Sequence, residues 1–372
     1  METKNAKIKV VVGLLALVGM LVYSLYAIAG DLEPSAPPGP TMKTLDEVEP
    51  RIPIPASDTP AATFVISQSG SYYLTGDRNA SSHGITVEVN DVTIDLMGYS
   101  LIGSGSGTNY GIYINGRSNV EIRNGIVRNF GSHGIYENNG KGHRVISVRA
   151  LSNGGIGIYL GASGHLVKDC TAGGNGAHGI TASTGCTITG NTAYENGSYG
   201  INAWNSCTVT GNTAYSNGSV GIYAGSGSTV SGNTANYNQE TGITASFSTV
   251  TGNTARYNQN CGISVGEGCT VTGNTASANN QSNEATWAGI RVSFSCLVKG
   301  NTLRYNKQNN IYVYSDDNVI EGNLVVGSTL LFDNGIYFRV AGNFYANNRA
   351  SGNTTDYANT AGNTDGGGNV SF

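Results

Sequence analysis

The stretch Gly-Ile-Asn-Ala-Trp-Asn-Ser-Cys-Thr-Val-Thr-Gly-Asn-Thr-Ala-Tyr-Ser-Asn-Gly-Ser-Val, residues 200–220, decides the fold. It holds three short alternating pieces: Ile201/Ala203, Cys207/Val209 and Thr213/Ala214. Each is bounded by Gly, Asn or Ser. Alternation marks half-buried strand, and Gly/Asn clusters mark turns. Three strands and three turns in about 22 residues make one coil of a parallel β-helix.

Working outward, the unit repeats. Gly-Asn-Thr recurs at Gly190, Gly211, Gly232, Gly252, Gly273 and Gly300, in steps of 21, 21, 20, 21 and 27. Gly-Ile recurs at Gly84, Gly111, Gly134, Gly157, Gly179, Gly200, Gly221, Gly242, Gly262, Gly289 and Gly335, and Asn310-Ile311 fills the remaining gap. The expected fold is therefore all-β: a right-handed parallel β-helix solenoid of about 12 coils of about 22 residues. Handedness follows the general rule for parallel crossovers. A leucine-rich repeat is excluded, because no Leu lies between Val167 and Cys296. Calcium-binding nonapeptide repeats are excluded by the scarcity of Asp in the same stretch.

The composition agrees. The 372 residues include 54 Gly and are 12% charged, against norms of about 7% Gly and about 25% charged. Helical bundles do not tolerate that much Gly, and charge-rich disordered chains are equally excluded. Neighbouring strands lie about 4.8 Å apart, so a repeated charge would face its own kind in every coil. Asn pairs with Asn instead. Two ladders are visible. One runs through Asn191, Asn212, Asn233, Asn253, Asn274, Asn301 and Asn323, the other from Asn153 through Asn175, Asn196, Asn217, Asn238, Asn258 and Asn279 to Asn306. Asn also tolerates left-handed turns. The net charge of −4 offers no basic stripe, so nucleic acid is not an expected partner.

Ahead of the repeat, Lys4, Lys7 and Lys9 precede an apolar run from Val10 to Val22, and Ala27-Ile28-Ala29 supplies a small-x-small cleavage pattern. Residues 1–29 read as a signal peptide, with an uncleaved membrane anchor as the competing reading. Export to the periplasm, cell surface or medium is the expectation, with membrane contact only through an uncleaved segment. All 8 prolines lie between Pro34 and Pro60. Residues 30–60 therefore read as a linker. The β-helix is then expected over 61–372, with an N-terminal cap near 63–74.

Thr41-Met42-Lys43-Thr44-Leu45-Asp46 with Glu49-Pro50-Arg51, then Gly70-Ser71-Tyr72-Tyr73-Leu74, then Gly367-Gly368-Asn369-Val370-Ser371-Phe372 complete a pattern. With these, the chain resembles bacterial secreted proteins with pectate-lyase-type (PbH1) right-handed parallel β-helix repeats. The resemblance implies polysaccharide or cell-surface glycan as partner. It leaves lyase, epimerase and glycoside hydrolase chemistry all open. Relatives also include tailspike-like depolymerases and periplasmic copper-accessory (NosD-type) proteins. The calcium-binding Asp cluster of true pectate lyases has no match here, and no cofactor is implied.

The residue after each Gly-Ile faces solvent. That column includes Tyr113, Tyr136, Tyr159, Tyr223, Tyr312 and Tyr337, with Trp204 two positions further along its own strand. Tyr113, Tyr136, Tyr159, Trp204 and Tyr223 are the expected carbohydrate-binding residues, since exposed rings on one face suit sugar stacking. The plain alternative is that Tyr suits exposed strands. Ionisable groups gather between Arg117 and His178. A lyase or epimerase needs a base and a cation to stabilise an enolate. Tyr136 or His133 with Arg123, Arg128 or Arg149 is the catalytic expectation, set against plain surface charge. A non-catalytic structural or adhesive rod is the competing function.

His143, His165, Cys186 and Cys207 share one column. Stacked at about 4.8 Å, the four span too far to bind one ion. An adjacent pair could hold one, copper suiting Cys and His, which is the basis for a periplasmic metal-accessory role as the third function reading, but no metal site is the expectation. A stacked interior ladder is the reading. Cys186/Cys207 and Cys269/Cys296 are one coil apart. Parallel in-register side chains favour buried thiols over disulfides.

Overall fold

The computed structural model describes residues 51–327 and 333–372. The expected signal peptide or anchor, and the linker up to Pro50, lie outside the described residues. So do Thr41–Asp46 and Glu49-Pro50. The described chain from Arg51 forms one unit.

Its 42 strands are almost all three to five residues long, and every pairing is parallel and joins one coil to the next. Three faces result. In one coil, Thr208–Thr210 lies on the first face, Thr213–Tyr215 on the second and Ile222–Ala224 on the third. The first two faces merge into one 28-stranded sheet, because Val120–Arg128 and Arg144–Leu151 run unbroken round their shared corner. The third face is a separate 14-stranded sheet.

There are 14 coils rather than 12, the third-face sheet contributing one strand to each. The two extra coils lack the Gly-Ile marker. Phe64–Ile66 and Thr355–Ala358 pair as third-face strands without it. At about 4.8 Å per coil the solenoid is roughly 65 Å long. The solenoid also begins earlier than residue 61. Ile52–Ile54 pairs with Tyr72–Leu74, and Ser57–Ala61 pairs with the strand at Arg78–Ala80. Pro53 and Pro60 are tolerated there because the first coil is an edge, where a missing N–H breaks no ladder. The segment expected as a cap is regular strand in the first two coils.

The interior is a dry stack. Ile188, Val209, Val230, Val250 and Val271 form one fully buried column, and Ala172, Ala193, Ala214, Ala235 and Ala255 another. Both Asn ladders form and are buried. Their Asn residues are not left-handed, however. The residue before each one is: Gly190, Gly211 and Gly232 at one corner, with φ of 68°, 64° and 62°, and Glu195, Ser216 and Tyr237 at the next, with φ of 51°, 54° and 56°. The left-handed residue makes the bend, and the bend turns the following Asn inward.

A third polar column completes the corners. His143 N–H donates to His165 Nδ1, His165 N–H to Cys186 Sγ, and Cys207 N–H to Ser228 Oγ. The column continues through Ser248, Cys269, Cys296, Asn318, Asn343 and Asn363. Four side-chain types do one job, accepting an N–H from the preceding coil. All six cysteines are buried free thiols.

Candidate functional site

The third face differs from the other two at its edges. Two coils are six residues longer than the regular 21, giving the 27-residue steps from Gly84 to Gly111 and from Gly262 to Gly289; all six extra residues of the second, and three of the first, fall at the corner between the second and third faces. Insertions in solenoids collect on one side, often the binding side. Each one here brings an aromatic residue to the third face: Tyr110 near one end and Trp287 near the other.

At the first of these, Tyr110, Tyr136 and Tyr159 stack. Tyr110 and Tyr136 have centroids 4.5 Å apart and planes at 15°, and Tyr136 and Tyr159 are 5.2 Å apart at 18°. Tyr113 leans on Tyr136 at 5.9 Å. His133 packs against Tyr110, Tyr136 and Tyr159. This changes what the tyrosines can do. Rings stacked along the solenoid axis cover each other's faces and present edges and hydroxyls to solvent. They cannot also be the flat platform expected for sugar stacking. They form a line of hydrogen-bonding groups instead, with Tyr113 hydroxyl donating to Asn115 Oδ1 at 3.1 Å. The solvent-facing column is also less open than expected, since Thr86, Thr181 and Tyr312 are buried.

Trp204 does offer an open ring. It is 51% exposed, and its column neighbours are Ser183 and Gly225, neither of which has a ring to cover it. Tyr223 stands in the next coil, 36% exposed and stacked on Tyr199 at 6.0 Å.

The five residues expected to be catalytic do not form one site. Tyr136 and His133 belong to the third face, Arg123 to the first, Arg128 and Arg149 to the second. Arg123 is engaged with Asp95 Oδ2 and Glu121 Oε1, each at 3.1 Å, and Arg144 and Arg51 extend the same ion-pair network. His133 Nδ1 accepts the Ile156 N–H at 2.8 Å, so its proton sits on Nε2 and burial lowers its pKa. Its free lone pair is spent. Burial, and then the neighbouring Tyr110, Tyr159 and Tyr113, raise the Tyr136 pKa, opposite to what a base needs. His83 and His178 repeat the His133 pattern, accepting from Tyr110 and Tyr199.

Two groups were missed in the sequence. The first is Glu137, fully buried between Ile114 and Leu160 of the adjoining coils. Strand parity alone places it inward. Its carboxylate accepts the Gly140 N–H and lies 3.5 Å from His165 Nε2, and burial raises its pKa. Glu137, His143 and His165 have metal-ligand composition, with donor atoms within 4.8 Å of one another. The hydrogen bonds fit a polar ladder instead. Both histidines accept an amide N–H at Nδ1, from Val120 and His143. Their protons therefore occupy Nε2, where coordination would need a lone pair. The rings also stack in parallel at 4.9 Å, and both Nε2 atoms are buried without a hydrogen-bond partner.

The second missed group lies at the other insertion. Tyr314 is sandwiched by Arg291 at 4.4 Å and Arg339 at 4.1 Å, while Tyr312 and Tyr337 stack at 5.3 Å. Arg291 also lies 5.7 Å from the Trp287 ring, and its Nε is buried without a hydrogen-bond partner. A hollow of about 200 Å³ opens beside them, lined by Thr286, Asn309, Tyr312, Asn334 and Tyr337. The signal was Tyr and Arg recurring at one register in three successive coils.

Comparison with solved structures finds the same architecture. The chain superposes on the A-module of the Azotobacter vinelandii mannuronan C-5 epimerase AlgE6 with a TM-score of 0.51 and 17% identity, covering 86% of this chain and 88% of that one. It superposes on the periplasmic alginate epimerase AlgG with a TM-score of 0.50 and 12% identity, covering 84% and 79%. At these identities the likeness is one of fold. No curated protein matches the sequence. The family described as "right handed beta helix region" matches residues 77–214 and 205–292, more than half of the chain. Register, coil length and this match agree: the chain belongs to the right-handed beta helix family.

Proposed function

We propose that this protein binds a polysaccharide along its third face, outside the cytoplasm. The observation that carries the reading is Trp204, an indole exposed on a solenoid face with neither ring face covered by another ring. The phenol edges around Tyr136 on one side, and Arg291, Tyr314 and Arg339 on the other, extend that face with groups that hydrogen-bond to hydroxyls and carboxylates. Lys4, Lys7, Lys9 and the apolar run behind them support export. The named epimerases of the same fold act on mannuronan and alginate, which supports a glycan as ligand. The reading is of binding. The catalytic expectation loses support from Tyr136, whose pKa is raised, and from His133, whose Nδ1 is occupied.

The chain has 2 Trp, Trp204 and Trp287, one beside each part of the face. The test is fluorescence titration and affinity electrophoresis against a panel of neutral and acidic polysaccharides. A binder quenches or shifts Trp204 emission in a Trp287→Phe variant, and Trp204→Ala weakens retention. If no polysaccharide is retained by the unmodified chain, the reading falls.

A further inference from the structure

The first face carries a pattern unlike anything on the third. Five successive strands read Thr187-Ile188-Thr189, Thr208-Val209-Thr210, Thr229-Val230-Ser231, Thr249-Val250-Thr251 and Thr270-Val271-Thr272. They pair without a register shift, so Thr187, Thr208, Thr229, Thr249 and Thr270 form one column and Thr189, Thr210, Ser231, Thr251 and Thr272 a second. The residue between is fully buried in all five strands. Each outward residue therefore has its partner roughly 6.6 Å away across the face and its counterpart roughly 4.8 Å away along the axis.

The array is rigid. β-Branched side chains are stiff at χ1, and hydroxyls join two of the four neighbouring pairs in the second column. Ser231 Oγ donates to Thr210 Oγ1 at 3.1 Å, and Thr272 Oγ1 to Thr251 Oγ1 at 3.1 Å. It is also uncharged and bounded. The preceding strand ends in Lys168 and the following one in Lys299. The second face supplies an internal contrast. It has one threonine column, Thr192, Thr213, Thr234, Thr254 and Thr275, but its other column runs Tyr194, Tyr215, Asn236, Arg256 and Ser277. Strand preference for Thr operates on both faces, yet only one has a two-dimensional lattice.

We propose that this threonine array binds the surface of ice. Its two spacings lie close to the two repeats between oxygen atoms on a prism face of hexagonal ice. The backbone thus sets successive Thr side chains at near-lattice intervals, while two hydroxyl pairs of the second column close to 3.1 Å. The intervening methyl groups release water on contact, which favours docking. No charge is present to impose a different hydration shell. A ligand without a two-dimensional repeat has no use for such regularity.

The test is performed on the full chain, by thermal hysteresis and by partition into a slowly grown ice front beside an inert co-dissolved protein. The expected result is faceted crystals, a freezing-point gap that grows with concentration, and enrichment in ice. Thr208→Lys with Thr249→Lys places two charges in the array and removes most of the gap. Thr234→Lys, on the second face, retains it. Circular dichroism melts of each variant establish that it is folded. Partition of the unmodified chain needs no variant, so failure of the lysine variants to fold leaves the proposal testable. Exclusion of the unmodified chain from ice overturns the proposal. So does equal loss in Thr234→Lys, or retention on crystalline cellulose with no freezing gap.

Discussion

Asn212 Nδ2 donates to Asn233 Oδ1 across 3.0 Å, and the Asn212 backbone N–H reaches the same oxygen at 2.9 Å. Asn233 Nδ2 in turn donates to the Val209 carbonyl at 2.9 Å and to Asn253 Oδ1 at 3.0 Å. Each ladder amide thus uses two acceptor and two donor positions, all buried. Coils are joined at their corners as tightly as along their strands.

Asn233→Ala leaves the Asn212 donors and the Val209 carbonyl buried without partners. Each such loss costs about 1–3 kcal/mol. The expected outcome is a drop of several degrees in thermal midpoint, measured by circular dichroism. Asn233→Asp keeps the acceptor but sets a buried carboxylate oxygen against the Val209 carbonyl and Asn253 Oδ1, and should lower the midpoint at least as much at pH 7.

The Gly of the Gly-Ile marker is there for space. A Cβ at Gly221 would lie 2.5 Å from Asn238 Nδ2 and 2.7 Å from the Gly242 carbonyl. At Gly252 the reverse holds: φ is +63° and nothing lies within 4 Å of an added Cβ. Gly221→Ala should therefore destabilise strongly, whereas Gly252→Asn should cost little, since Asn visits the left-handed region. Paired denaturant melts check the order.

His143 and His165 are held neutral, their pKa values lowered to about 4, by burial first and, for His165, by the neighbouring His143. The unfolded chain, with ordinary His pKa near 6.5, then binds more protons than the folded chain between about pH 4 and 6.5. Stability should fall as pH drops through that window and level off below it. Glu137, with its pKa raised by burial, works in the opposite direction above its unfolded value. Asn serves at Asn318 and Asn343 of the same column. His143→Asn with His165→Asn should therefore keep the fold and flatten the dependence. Thermal midpoints at pH 7 and pH 5 check this.

Burial pushes the Cys170 and Cys261 thiols up to about 12. Neither should react with iodoacetamide in the folded protein at pH 8. All six cysteines should be alkylated after denaturation without reductant, as mass spectrometry would read directly. A mass two or four hydrogens short would reveal disulfides.

Much of the fold was legible because a solenoid contacts itself at a fixed sequence interval. Gly211-Asn212 and Gly232-Asn233 fall one coil apart in sequence and one strand apart in space. The coils at Phe64–Ile66 and Thr355–Ala358 were hidden because terminal coils have one neighbour only. At Thr355–Ala358 no following coil supplies the carbonyl whose close approach demands Gly elsewhere. The prolines at 53 and 60 misled for the same reason, marking an edge as though it were a linker.

The candidate site was legible in its residues but not in their orientation. Tyr113, Tyr136 and Tyr159 lie in one column as their spacing requires, yet spacing says nothing about whether rings show faces or edges. That depends on each ring meeting the next at about 5 Å across parallel strands, a distance that favours stacking.

By itself, the 22-residue period determined the architecture, the two Asn ladders and the inward parity of every strand, because strand alternation and coil stacking follow from local spacing. Only the tertiary structure decided which faces the ionisable groups occupy. Arg123 and Tyr136 are thirteen residues apart and on different faces. His133 is a structural acceptor because Ile156, one coil on, points an N–H at it. Periodicity specifies which residues are neighbours between coils. The corner at which a strand turns specifies which of them look out together.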